Sequence, residues 1–276
     1  MRVIEMLLSE KNAHPRDSRI YMDEPTHTYY LDGNPVSISG TGFIHLFFEH
    51  FDSVSFSERL AKTAKPGSKY YGMTAEEIRK KWCGGAQTGT DMHKNVEDFW
   101  NLYADSKVDM DKLIGELTDK EKYGVFRECF FFLTKKMGLV PYFTEKIVFD
   151  EDYDLAGSVD FIAFNPKTGK YWVIDWKFSV GLKRESYGGK CGIGPCSKVE
   201  DCNGYHYQIQ VNLYKHILEK YYGIEIEEML LVNLHKDRMA PDYLFADDMG
   251  DVVKDMLDYW LENKSRLLEI HRSRRH

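Results

Sequence analysis

Three residues in the middle of the chain could do chemistry together: Asp160 within Gly157-Ser158-Val159-Asp160-Phe161, and Asp175 and Lys177 within Val173-Ile174-Asp175-Trp176-Lys177. Each acid interrupts a short run of β-branched and aromatic residues that reads as a strand, and Asn165-Pro166-Lys167-Thr168-Gly169 turns the chain between the two runs. An unpaired carboxylate in a strand buried on both faces is costly, so such acids persist where a partner such as a cation meets them. Strand side chains alternate, which points Asp175 and Lys177 to one face with Asp160 across the hairpin. Two carboxylates on adjacent strands can hold one or two divalent cations, and an ammonium beside them can position a water or stabilise a phosphorane. Together this is equipment for hydrolysing a phosphodiester. The bland alternative is an Asp175–Lys177 salt bridge on a solvated strand, and Trp172, Val173, Ile174 and Trp176 leave little room for a solvated face.

The surrounding pattern supplies elements to position these groups. Asp32-Gly33 between two extended runs reads as a β-hairpin. Ser39 or Thr41 can cap a helix carrying Phe43, Ile44, Leu46, Phe47 and Phe48. Residues 74–103 and 110–136 have helical periodicity. Strands follow at 143–149, 156–164 and 171–178, then a Gly-rich loop over 181–203, a helix over 205–222 ended by Gly223, the strand MLLVNLH, an edge strand at 243–245 and an amphipathic helix from Asp247. The order predicts an α/β fold, a central mixed β-sheet flanked by α-helices. We expect one catalytic unit: an N-terminal hairpin and helical elaboration over 1–84, a core over 85–246 and a C-terminal helix over 247–276.

The chain has 276 residues and a net charge of -7, which argues against a uniformly basic coat for nucleic acid. Carboxylates gathered around cations account for part of that charge. Basic residues cluster at Lys62, Lys65 and Lys69, at Arg79, Lys80 and Lys81, at Lys183, Arg184 and Lys190, and at Arg272, Arg274 and Arg275. Any of these could touch phosphate or could be a solvated face. No run approaches the roughly 18 apolar residues of a membrane helix, and MRVIEMLLSEKNAHPRD does not fit a secretory signal, so an intracellular, non-secreted protein is expected.

GSVDFIAF followed by VIDWKFS resembles the second and third motifs of the PD-(D/E)XK nuclease superfamily, and specifically its RecB-like exonuclease branch. Gly89-Thr90-Asp91-Met92-His93 is similar to that branch's GTxxH motif, expected at the head of a helix, and Gln210-Val211-Asn212-Leu213-Tyr214 to its QxxxY motif. The motifs stand in the family's order over roughly residues 85 to 220. The resemblance implies a restriction-endonuclease-like core, Mg²⁺ or Mn²⁺ as cofactor and DNA, as single strands or duplex ends, as substrate. It implies a metal site built from His93, Asp160, Asp175 and the Trp176 carbonyl, with Glu145 a candidate additional ligand. Lys177 would assist the attacking water, and Gln210 and Tyr214 would orient the lysine or the nucleic acid; Gln208, half a turn away, could take the glutamine's place. Glu97, four residues after His93 on the same helix face, could contact the metal through water, and more simply pairs with a neighbouring lysine. Trp82, Tyr187 and Tyr205 could stack on bases, though each suits a core role better.

Five cysteines, an odd number, do not suggest a disulfide framework. Some members of the branch carry an iron-sulfur cluster with cysteines after QxxxY; here Cys191, Cys196 and Cys202 precede it. A zinc clip from these three and His206 lacks a CxxC knuckle, so free thiols are expected. A structure-specific endonuclease and a non-catalytic nucleic-acid-binding subunit are the rival functions, and retention of Asp160, Asp175 and Lys177 together speaks against the second. A helicase or another replication or recombination protein is a candidate partner.

Overall fold

Asn165 to Gly169 make the predicted turn, with Gly169 at φ 73°, and the strands on either side form the centre of the molecule. The computed structural model describes residues 7–105, 107–179 and 181–274, without the side chains of 85 and 86. Arg275 and the first six residues of the N-terminal segment lie outside the described residues.

A small antiparallel sheet comes first: β1 (Ile20–Asp23), β2 (Thr28–Leu31) and β3 (Asn34–Pro35). Asp32 and Gly33, at φ 50° and 81°, supply the left-handed turn that the Asp-Gly pair promised. The main sheet is mixed. It contains β4 (Ile38–Ser39), β5 (Val140–Asp150), β6 (Leu155–Asn165), β7 (Lys170–Lys177), β8 (Ile226–Asn233) and β9 (Asp242–Phe245). β5, β6 and β7 are antiparallel neighbours, β7 and β8 are parallel, and β9 closes the edge antiparallel to β8.

Helices cover both faces. α1 (Leu8–Lys11), α2 (Gly40–His45), α3 (Ser53–Thr63) and α4 (Ala75–Tyr103) precede β5; α8 (Asn203–Tyr221) and α9 (Gly250–Ser273) follow β7 and β9. One face of the sheet buries Val159, Ile162 and Val173 against Ile209, Leu213 and Ile217 of α8 and Trp260 of α9. The other buries Phe161, Trp172 and Trp176 against Val96, Phe99 and Trp100 of α4. Among the described residues no helix is long and apolar enough to cross a membrane.

The segment 110–136 departs from a continuous helix. It breaks into α5 (Met110–Glu116), α6 (Lys120–Tyr123), α7 (Phe126–Phe131) and a π-helical turn at Phe132–Met137. The Asp109 and Asp119 side chains cap new helix starts, and Gly124 at φ 58° makes a turn where an added Cβ would sit 1.9 Å from the Leu234 carbonyl oxygen. α4 departs in the other direction. Thr74 and Glu77 form a capping box that starts it fifteen residues before Gly89, so Gly89-Thr90 lies inside the helix, not at its head. Ser39 is the residue that caps α2.

Candidate active site

The site begins as a gap in β6. Along one edge β6 pairs with β5 over its length; on the other edge β4 pairs with Leu155 and Ala156, and β7 with Phe161 to Asn165. Residues 157–160 have no strand on that second edge. β7 peels away after Ile174, and the Trp176 N–H is taken by the Asp160 side chain, Oδ2 at 2.8 Å. The two strands thus form a fork whose crotch holds Asp160 on one prong and Asp175, Trp176 and Lys177 on the other.

Glu145 stands opposite Asp160 on β5, with φ at 47° between the paired residues Thr144 and Lys146. A left-handed non-glycine residue inside a strand costs on the order of 1–3 kcal/mol and turns its side chain out of the regular alternation. Ser158 Oγ donates to Glu145 Oε2 at 3.0 Å. From the opposite side His93 on α4 brings Nδ1 to 3.5 Å from Asp160 Oδ2. His93, Glu145 and Asp160 each offer one ligand atom, and these three atoms lie within 4.8 Å of one another, the one such group among the described residues.

Asp175 and Lys177 form a second unit beside this trio. Lys177 Nζ lies 2.6 Å from Asp175 Oδ2, yet that oxygen lacks an aligned hydrogen-bond donor, so the contact is one of charge more than direction. The ammonium also sits 4.3 Å from the centre of the Tyr207 ring. The salt bridge weighed from the sequence is therefore present, and it is buried at the fork instead of on a solvated face.

The charges show what the site lacks. Burial, then the Asp160 charge, push the Glu145 carboxyl up to about 8. Burial likewise raises Asp160, against the pull of Lys177, and raises Asp175 to about 6. Burial and the Lys177 charge lower His93 to about 4, so its imidazole is neutral, the form that binds metal. The Trp176 backbone opposes that lowering. Lys177 stays charged: burial opposes this, but Asp175 and Asp160 outweigh it. Three carboxylates, Asp175 buried and Glu145 and Asp160 half-buried, share one ammonium, a deficit of positive charge that a divalent cation would fill. One nitrogen and two carboxylate oxygens suit Mn²⁺ and, with added water, Mg²⁺.

Gln210 and Tyr214 form the floor. Gln210 Nε2 donates to the Tyr214 hydroxyl at 2.9 Å, and the Tyr214 ring lies where a Cβ on Gly157 would come within 2.7 Å of it. This explains the glycine of GSVDF. Gln208 is fully buried and accepts from the Asp247 N–H, so it belongs to the α8–α9 packing. Two residues that the sequence did not single out also belong here. Tyr207 holds Lys177 and shares with Gln210 and Tyr214 a stripe at helical spacing, a signal that could have found it. Tyr29 of the N-terminal hairpin is close enough for Glu145 and Asp160 to raise its pKa, after burial, to about 12. Nothing in the local sequence announces that contact.

Other candidates lie elsewhere. Glu97 pairs with Lys94 at 2.9 Å. Cys191, Cys196 and Cys202 are free; His206 pairs with Asp201 at 3.0 Å and Cys202 contacts the Lys183 carbonyl, so no zinc clip is assembled. Tyr205 packs against the core, Trp82 lies in the α3–α4 segment and Tyr187 is 96% exposed.

No family model matches the chain, and no curated protein matches it. Among solved structures, one from Eubacterium rectale, provisionally named an exonuclease, aligns over 99% of this chain and 88% of its own at 12% identity, with a TM-score of 0.42. Another, named SSO0001, aligns over 63% of this chain and 74% of its own at 17% identity, with a TM-score of 0.26.

Proposed function

We propose that the chain is a divalent-metal-dependent nuclease of the PD-(D/E)XK superfamily, close to the RecB-like branch, that hydrolyses DNA phosphodiester bonds inside the cell. The observation that carries this is the fork itself: His93, Glu145 and Asp160 converge on one point, beside a buried Asp175–Lys177 pair with a surplus of carboxylate. His93, Glu145, Asp160 and the Trp176 carbonyl would hold Mg²⁺ or Mn²⁺, with Asp175 at the rim. When bound, a divalent cation supplies Lewis acidity toward phosphate and water.

The chain's own groups do the rest. Glu145 gives up the proton that burial imposes on it once positive charge arrives. Asp175 keeps Lys177 protonated and, with the Tyr207 ring, aims it. Lys177 then donates toward the oxygen on which charge develops, in a buried setting where such a contact is worth more than in water. Gln210 and Tyr214 hold Gly157, and through it the Asp160 prong, at its distance from α8.

An exonuclease on DNA ends or single strands, in replication, recombination or repair, is the form the motifs favour. The test is incubation with 5′- and 3′-labelled single- and double-stranded DNA in Mg²⁺, Mn²⁺ or EDTA, together with circular single strands. Cleavage with either metal, none in EDTA and none of circles is expected. Cleavage of circles points to an endonuclease, and cleavage in EDTA overturns the metal mechanism.

A further inference from the structure

Residues 51–91 contribute no side chain to any of the three hydrophobic cores. They form α3, a connecting loop and the first half of α4, held together by a small cluster of Phe51, Phe56, Tyr70 and Trp82 with ring centroids 5.2–6.3 Å apart. An arm of this kind, built mostly of surface, gives the fold little burial in return for its ordering.

Its composition is unlike the rest of the chain. Residues 53–83 carry seven basic and three acidic side chains, +4 net in a chain of -7 overall. None of the seven basic groups forms an ion pair with another described residue, whereas lysines elsewhere, such as Lys146, Lys190 and Lys264, do. Exposed aromatics lie among these charges: Phe51 is 59% and Tyr71 58% exposed. Lys69 and Lys81 both approach the Tyr70 ring, at 5.0 and 5.9 Å. Unneutralised ammonium and guanidinium groups beside open aromatic faces match one ligand chemistry, phosphates alternating with unstacked bases.

The arm also points at the fork. α4 runs without interruption from Arg79, Lys80 and Lys81 to His93, so the basic face ends about 18 Å from His93 at 1.5 Å per residue. Where α4 reaches the site, Gly89 faces Phe178, whose ring lies 5.1 Å from that of His93.

We propose that the α3–α4 arm is a single-stranded nucleic-acid binding surface that feeds the strand along α4 to the fork. The proposal deepens the nuclease reading and rests on it for the direction of feeding, but binding itself requires no chemistry. Arg79, Lys80 and Lys81 would contact phosphates, and Trp82 and Phe51 would stack on bases.

Trp82 provides an internal probe. Of the five tryptophans, Trp100, Trp172, Trp176 and Trp260 are at most 3% exposed, so a ligand on the arm reaches Trp82 alone. The full chain in EDTA would be titrated with 20-residue oligothymidylate, following anisotropy of a labelled oligomer and tryptophan fluorescence at several salt concentrations. Quenching that disappears in Trp82→Phe is expected. The variant R79A/K80A/K81A should bind at least tenfold more weakly, with its log–log salt slope shallower by about 2, since three phosphate contacts at about 0.7 each are lost. Unchanged affinity and slope in that variant, quenching that survives in Trp82→Phe, or equal quenching by duplex DNA would overturn the proposal. Binding through the arm without cleavage in Mg²⁺ or Mn²⁺ would sink the nuclease assignment and leave the arm standing; cleavage with an inert arm would do the reverse.

Discussion

β5 carries two acidic sites five residues apart, Glu145 half-buried and Asp150 buried, and they are built to opposite rules. Asp150, 1% exposed, accepts from the Tyr221 hydroxyl at 2.7 Å and the Asp152 N–H at 3.0 Å, with Lys220 at 3.3 Å and His216 at 3.6 Å. Burial alone would raise its pKa, but His216, Tyr221 and Lys220 outweigh it and the pKa falls. Glu145 has one hydroxyl and three neighbouring acids, Asp160, Glu97 and Asp175, and, with burial the largest cause, its pKa climbs to about 8. Burial is common to both, so burial does not mark a site. The fork is marked by acids left without enough positive charge, held by a strained backbone that the rest of the sheet must stabilise.

That contrast breaks first on activity. Lys177→Ala and Asp175→Asn should each lower the cleavage rate by about a thousandfold or more, because both remove stabilisation specific to the transition state. Calorimetry with Mn²⁺ should show binding weakened in Asp175→Asn and spared in Lys177→Ala. Retained hydrolysis in either variant would place the chemistry elsewhere.

The pH dependence of stability sharpens it next. Glu145 takes its proton more readily folded than unfolded, so its contribution is fully present below about 4.5 and is lost as pH rises to about 8. His93 works oppositely: neutral when folded, it costs stability as pH falls from 6.5 to about 4. The two oppose each other between 4.5 and 6.5, so the melting temperature without metal should fall between pH 6.5 and 8. The loss is a few kcal/mol at most. Glu145→Gln should flatten that fall, and Mn²⁺ should reverse it in the wild type but not in the variant. A wild-type melting temperature that is flat to pH 8 without metal would contradict the charge deficit.

Asp150→Asn is the converse case. Leaving Lys220 and His216 without their buried partner should cost about 3 kcal/mol in urea unfolding while the folded fraction keeps its cleavage rate. A specific loss of activity would erase the distinction between the two ends of β5. Smallest is Gly157→Ala, which crowds Tyr214 and should cost about 2 kcal/mol. Adding Tyr214→Leu should recover part of it in thermal melts.

The sequence displayed the prongs of the fork and not its crotch. Asp160, Asp175 and Lys177 stood out because polar groups interrupt apolar strands, and the helical periodicity that begins at residue 74 marked the start of α4. A two-residue strand such as β4 has no periodicity to detect, so the gap at 157–160 was invisible. The reversed φ of Glu145 belongs to a glutamate that no turn motif surrounds. Asp109, Asp119 and Gly124 did announce the breaks in 110–136, but an apolar stripe running through them hid the signal. Tyr29 reaches the site from more than a hundred residues away, through tertiary packing alone.

The left-handed residue in β5 has a further consequence. Phe143 and Val148 sit in the same core although they stand five positions apart, an odd step, and on β6 Val159 and Ile162, three positions apart, do likewise. Both strands slip phase at the rung shared by Glu145 and Asp160. A one-residue deletion confined to either strand would turn every later side chain to the wrong face, so length changes here are tolerable only as matched pairs, and the distance between the two acids is locked into the hydrophobic pattern of the sheet.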